Sequence, residues 1–333
     1  MSKDNDSASP LVIGGHTVKP GKSKRFDLFA ARLPTHTELD IPLWIFNGKQ
    51  QGPVIWLSAA VHGDEINGVE IIRRVVEKIH SPIACGAIVA IPIVNVFGFI
   101  DESRYLPDRR DLNRSFPGSK SGSLASRMAH LFLTEIISKC THGIDLHTAS
   151  ADRTNFPQIR GNLLDKETIR CAQAFDAPVM INSKERSGSL RGSAAKRGIT
   201  SLVYEGGEAR RFNEHAIQVG VTGVERVLGE LGIIPEYREE DRRCVLVEKT
   251  SWIRSRKGGI LRLMVSEGEM VEAKQTVGQV SDPFGDAKIL LKSPFRGMII
   301  GMTLSPLVHA GDAVVHVGRL STEITGKSNV SDD

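Results

Sequence analysis

The chain has 333 residues, with 43 basic and 39 acidic side chains, a formal net charge of +4 and four cysteines. That length buries a substantial core in one or two domains without covalent staples, and so even a charge balance excludes the basic stripe of a nucleic-acid binder. Cys85, Cys140, Cys171 and Cys244 are scattered, with no Cys-x-x-Cys pair, which argues against a disulfide frame or a cysteine metal site. Reduced thiols of a cytoplasmic protein are the expectation. The polar start, Met1 to Ser7, lacks the apolar stretch of a signal peptide, and no run reaches membrane-spanning length.

In chain order, a disordered leader is expected over 1–10, and β-rich structure from Leu11 to about Ile45, punctuated by Pro20-Gly21 and Leu33-Pro34. Val54 to Ala60 reads as a buried strand, and Ile66 to Val76 carries apolar residues at helical spacing. Ile88 to Val94 is an apolar strand, Leu124 to Ser138 a helix, Gly143 to Thr148 a strand, and Ser201 to Tyr204 another, ahead of Glu205-Gly206-Gly207. Such alternation predicts an α/β fold with a mixed sheet flanked by helices. The hydrolase domain is assigned to 11–238. From 239 to 322 the character changes to short, glycine-rich β segments, read as a smaller all-β domain, with a disordered tail over 323–333.

This C-terminal segment holds an internal repeat, Val271 to Val280 echoed by Val308 to Val317, each preceded by a glycine-led β segment (Gly259-Ile260 and Gly297-Met298-Ile299). Duplicated β units of this kind resemble the barrel-sandwich hybrid of biotinyl and lipoyl carrier domains. A carrier needs a lysine at a tight hairpin tip, whereas Asp282-Pro283-Phe284-Gly285-Asp286 lies between the copies and Lys288 lacks that setting. A structural unit, and a surface for homo-oligomers, is the preferred reading.

Chemistry concentrates at the strand ends. His62 and Glu65 fall in the strand-to-helix junction at the carboxyl edge of the sheet, where open α/β sheets place ligands. His147 closes a second strand. Two histidines and a carboxylate suit one Zn²⁺ per chain with a fourth position left for water. Asp145 shares a strand face with His147 and is the expected acceptor that orients a ligand ring. Asp111-Leu112-Asn113-Arg114, with Arg104, Arg109 and Arg110 upstream, reads as a loop gripping a substrate carboxylate. Glu205 is the expected general base, with Glu208 its competitor. His142 and His316, among the other histidines, show no partner spacing.

Together, His62-Gly63-Asp64-Glu65, Asp111-Leu112-Asn113-Arg114, Asp145-Leu146-His147 and Tyr204-Glu205-Gly206-Gly207, in this order, resemble the succinylglutamate desuccinylase/aspartoacylase family, relatives of the zinc carboxypeptidases. The resemblance runs from about Leu11 to Val317 and implies a zinc-carboxypeptidase-like fold. It also implies His62, Glu65 and His147 as zinc ligands, Glu205 as catalytic carboxylate, and Asn113 with Arg114 on the substrate carboxylate. An arginine polarising the scissile carbonyl is implied too; Arg104 and Arg109 compete for it, and Arg191 is a further anion contact. The expected activity is hydrolysis of a small anionic N-acyl amino acid or related amide. The alternatives are a carboxypeptidase acting on short peptides and a catalytically vestigial metal-binding module.

Overall fold

The computed structural model describes residues 7–32, 35–79, 82–235 and 244–321. Residues 7–10, assigned above to the leader, are tied down: Ser7 bridges to Gln50, the Ala8 amide donates to the Lys49 carbonyl at 3.0 Å, and Asn47 Nδ2 donates to the Ser9 carbonyl at 3.0 Å. The hairpin of β1 (Leu11–Ile13) and β2 (His16–Val18) leads into β3 (Lys22–Arg32), β4 (Glu38–Asn47) and β5 (Gln50–Ala59). Then come α1 (Asn67–Lys78), β6 (Cys85–Ile91), α2 (Val96–Ile100), α3 (Leu124–Leu131), β7 (His142–His147) and β8 (Arg153–Gly161). They are followed by α4 (Lys166–Phe175), β9 (Val179–Asn182), α5 (Leu190–Ala195), β10 (Thr200–Glu208) and α6 (Glu214–Glu230). The helix expected to Ser138 changes its winding after Leu131, passing through a π turn over Phe132–Ile136 and a tight 3-10 turn over Ile137–Lys139.

β5 runs parallel to both β6 and β7, and β7 parallel to β10. Strands so placed are covered on both faces, which is why Val54 to Ala59 is almost continuously apolar. One face packs on α1, α4 and α6 through Ile71, Phe175, Ile217 and Val224; the other packs on α3 and α5 through Met128, Phe132 and Leu190. Gly143 faces Trp56 across the β5–β7 pair, and a side chain there would enter the indole. The result is a mixed α/β fold around a large sheet. Among the described residues no helix is long and apolar enough to cross a membrane.

The C-terminal strands are β11 (Val245–Arg254), β12 (Gly259–Leu263), β13 (Met270–Val271), β14 (Thr276–Ser281), β15 (Ile289–Lys292), β16 (Gly297–Thr303), β17 (Leu307–Val308) and β18 (Ala313–Leu320). The expected boundary at 238/239 and the tail over 323–333 lie outside the described residues. The sequence repeat has a structural counterpart. β12 pairs with β14 of its own copy and β17 of the other, while β16 pairs with β18 and with β13, so the short strands are exchanged between halves around Val271, Val280, Ile299 and Val317. β15, β14, β12 and β17 form a sheet of their own, whereas β13, β16, β18 and β11 continue the main sheet, whose order is β13-β16-β18-β11-β9-β8-β10-β7-β5-β6-β4-β3. β11 runs parallel to β9, and β16 pairs with β8 through Thr303 opposite Arg153. That continuity brings C-terminal side chains to the carboxyl edge where β5, β7 and β10 end.

Candidate metal centre and substrate cleft

β5 stops at Ala59, and Ala60 takes a left-handed turn with φ of 48° before the chain re-enters as α1. This sharp reversal puts His62 and Glu65 on one short arc, both buried. Gly63 makes the arc possible, because a Cβ there would collide with the backbone of Gly98 and Phe99. Backbone on both sides leaves little room to yield. Gly63→Ala is therefore expected to lower stability by at least about 1–3 kcal/mol and to weaken metal binding, as read by denaturant unfolding and chelator competition.

His147, at the end of β7, completes the set. Its Nδ1 lies 2.6 Å from Glu65 Oε2, and His62 Nδ1 lies 2.7 Å from Glu65 Oε1. The opposite ring nitrogens are held by carboxylates: His147 Nε2 by Asp145 Oδ2 at 2.8 Å and His62 Nε2 by Asp111 Oδ1 at 3.2 Å. Ser58 donates to Asp145 Oδ1 at 2.7 Å, so the outer contacts are themselves braced. Both rings thus offer Nδ1 inward with Nε2 fixed, the arrangement in which a carboxylate orients a ligand histidine.

The donor atoms of His62, Glu65 and His147 all lie within 4.8 Å of one another. Donors sharing one zinc stand roughly 3–3.5 Å apart, so small rotations suffice, and the residues fit the ion in number, type and burial. Electrostatics agree. Burial pushes both imidazoles down, but Glu65 with Asp111 at His62, and Asp145 with Glu65 at His147, outweigh it and hold both above the ordinary histidine value. Burial would likewise raise Glu65, yet the two rings hold it well below the usual carboxylate range. A site that stabilises positive charge on its rings is suited to a shared cation.

A second group, His142, Glu167 and Cys171, lies at the other end of β7. His142, without an expected partner, bonds Glu167 at 2.8 Å. Arg170 already holds both oxygens of that carboxylate, and burial pushes the Cys171 thiol up to about 12. An ion pair accounts for this cluster better than a metal does.

Glu205 lies within β10 rather than after its strand, directly opposite His147 in the parallel pair, so the two side chains share a face. Asn155 Nδ2 donates to Glu205 Oε2 at 2.7 Å, and Arg160 lies 3.5 Å from the same oxygen. Oε1 is left for a ligand. Asn67 ties this strand end to α1, donating to the Gly206 carbonyl at 3.0 Å while its Oδ1 accepts from the Asn213 amide at 3.0 Å. Glu208, the competitor, lies outside the cleft lining, beyond the bulge after Glu205.

The structure separates the two upstream arginines. Arg104 enters the cleft, its Nε and Nη2 bonded to Asp111 Oδ2 at 3.1 and 2.9 Å and its Nη1 reaching Glu65 Oε1 at 3.3 Å. Arg109 is exposed on a turn with φ of 60° and does not line the cleft; its place in the expected site is corrected. Asn113 Oδ1 accepts from the Leu190 amide at 2.9 Å, which leaves Nδ2 to donate, and Arg114 is exposed beside it at the cleft rim. Arg191 also faces the cleft. Its Nη2 bonds Ser183 Oγ and the Lys184 carbonyl at 2.8 and 3.0 Å, its buried Nη1 has no hydrogen-bond partner among the described residues, and burial pushes its pKa down.

Asp111, quoted in the motif without a role of its own, proves to connect His62 with Arg104. Burial would raise its carboxyl, but the two partners hold it well below the usual range. Trp252 and His316 of the C-terminal strands also line the cleft, as do Asn155 and Arg160. No sequence spacing marks these wall residues, because strand pairing across distant segments brings them there. The cleft encloses about 600 Å³ and carries more arginine and lysine than carboxylate along its walls.

The chain is similar in sequence or in fold to several known proteins. N-alpha-acetyl-L-2,4-diaminobutyric acid deacetylase of Halomonas elongata is 22% identical over 286 residues, covering 82% of this chain and 84% of that one. The crystal structure of succinylglutamatedesuccinylase/aspartoacylase from Rhodobacter sphaeroides superposes with a TM-score of 0.81 at 24% identity, covering 90% of this chain and 96% of that one. The product-bound ectoine utilization protein EutE of Ruegeria pomeroyi gives 0.81 at 22% identity, over 95% and 99%. Residues 51–231, which span His62, Glu65, the Asp111 to Arg114 loop, His147 and Glu205, match the succinylglutamate desuccinylase/aspartoacylase catalytic domain, and the chain belongs to that family.

Proposed function

We propose that this protein is a zinc-dependent deacylase that hydrolyses the amide bond of a small, anionic N-acyl amino acid or closely related metabolite. The convergence of His62, Glu65 and His147 beside Glu205 carries the reading. Zn²⁺ held by those three residues would supply Lewis-acid polarisation and lower the pKa of water toward neutrality. Glu205, fixed through Oε2 by Asn155, offers Oε1 to take the proton from the attacking water. As the carbon–nitrogen bond breaks, Glu205 returns that proton to the departing nitrogen, leaving a carboxylate and a free amine. Arg104 supplies donors for the developing oxyanion, a type of contact worth about 3–4 kcal/mol in the barrier. Asn113 Nδ2 and the Arg114 guanidinium grip the substrate carboxylate.

This assignment predicts a contrast between neighbours. Arg104→Ala is expected to lower kcat by about 10²–10³-fold, whereas Arg109→Ala, at an exposed turn, should leave kcat and KM near wild type. Equal losses in steady-state kinetics would remove Arg104 from its role. The reading as a whole is tested by metal analysis of protein purified without chelator, followed by a panel of N-acyl amino acids and short peptides. About one zinc per chain and turnover of acylated amino acids are expected. Preferential peptide cleavage would make it a carboxypeptidase, and a metal-free, inactive protein a vestigial module.

The wall that Trp252, His316 and their strands add to the cleft supports small substrates over long peptides. The exchanged strands of the repeat support a barrel-sandwich type of β domain, and its exposed apolar residues, Ile260, Leu290 and Leu307, offer a surface for self-association. A cytoplasmic enzyme, acting without nucleic acid or membrane, accords with the reduced thiols and balanced charge.

A further inference from the structure

The wall of the cleft built by the C-terminal strands carries a stack that the proposed hydrolysis leaves unused. Trp252 on β11 and His316 on β18 are cross-strand partners, and their rings lie parallel, with centroids 4.4 Å apart and planes at 6°. Arg153, the first residue of β8, places its Cζ 5.3 Å from the Trp252 ring centroid. All three line the cleft. The pairing of Arg153 with Thr303 fixes the strand that bears it against β16.

A half-buried arginine ordinarily finds a carboxylate. Among the described residues the Arg153 guanidinium has no such partner, and Glu248, the acid on the same wall, is exposed and makes no hydrogen bond to it. A position over an aromatic ring holds a guanidinium while leaving its N–H donors unused. His316 suits this arrangement because it carries no charge to oppose the arginine: burial, and then the nearby Arg160, push its pKa down to about 3. The stacked pair is a neutral backing for a cation.

Position gives the cation a task. Asn155, which holds Glu205, is two residues along β8 on the same face, so Arg153 stands roughly 7 Å further along the cleft. The grip of Asn113 and Arg114 lies elsewhere, on a loop packed against Gly188 and Leu190. A substrate held there by its amino-acid carboxylate, with the amide at Glu205, would direct its acyl group toward the C-terminal wall. We propose that Arg153, lying over the Trp252 ring that His316 backs, is a specificity-determining anion contact that favours acyl chains ending in a second carboxylate. The proposal rests on the deacylase reading and concerns which acyl group the cleft accepts.

Two measurements on the full chain test it. With zinc-loaded protein, N-acetyl and N-succinyl derivatives of glutamate, aspartate and 2,4-diaminobutyrate are compared. The succinyl compounds should have kcat/KM at least about tenfold higher, and Arg153→Ala should lower that value by about 10–100-fold, mainly through KM. The acetyl compounds should fall by at most about threefold, which also shows the variant to be folded. Trp252→Leu should shift selectivity the same way although Arg153 is retained, and Arg153→Lys should restore part of the preference. Independently of turnover, succinate should quench tryptophan fluorescence saturably and acetate should not, with the response lost in Trp252→Leu and weakened in Arg153→Ala. An acetyl preference, equal losses for both acyl classes, or no succinate response would overturn the assignment. Saturable succinate binding without hydrolysis of any acylated amino acid would instead remove the deacylase reading and leave the anion contact standing.

Discussion

Glu205→Gln is expected to retain a full complement of metal and to lose about 10²–10⁴-fold in kcat. Glutamine keeps the shape of the side chain and can still accept the 2.7 Å hydrogen bond from Asn155, so the strand end and the facing His147 stay in place. What disappears is the ability to take a proton from water and return it to nitrogen. KM should change little, because the carboxylate grip at Asn113 and Arg114 is carried by another loop. Metal analysis and steady-state kinetics on the same preparation check both halves. Wild-type turnover would move the base elsewhere, and loss of metal would mean that Glu205 supports the centre rather than the proton transfer.

Glu65→Gln should have the opposite profile, with metal lost first and activity lost as a consequence. Among the described residues Glu65 is the one acid facing the Nδ1 atoms of both histidines, and its Oε2 also accepts from the Thr148 amide at 3.2 Å. An amide there removes the anion that draws a cation between the rings. Affinity measured by chelator competition should fall by well over the 10–100-fold typical of losing an outer contact. The truncation Glu65→Ala should in addition cost about 3–5 kcal/mol in denaturant unfolding, the general result of stripping one partner from a buried charged cluster. Retained stoichiometric zinc in Glu65→Gln would mean that the two histidines and another donor hold it.

Much of this centre is legible in the sequence because it is local. The strand ending at Ala59, the helix beginning at Asn67 and the three-residue step from His62 to Glu65 are short-range features, and the period-two pattern in β7 places Asp145 with His147. Arg104 and Arg109 are not separable that way. Both lie in an irregular loop whose path is decided by tertiary contacts, Arg104 drawn inward by Asp111 and Glu65 and Arg109 turned out on a left-handed residue. Asp111 sits within a recognisable motif, but its contact with His62 spans 49 positions. The Trp252–His316 wall depends on the register of β11 against β18 and of β16 against β8, which no window of neighbouring residues encodes.

The run of β16 onto β8 and of β11 onto β9 also limits how this molecule can be cut. A shortened chain ending before Cys244 would strip both partners at once, leaving β8 and β9 with raw amide and carbonyl edges and baring Val179 and Ile181, which Val247 and Ile300 cover in the full chain. Such a fragment would aggregate rather than work as a minimal enzyme.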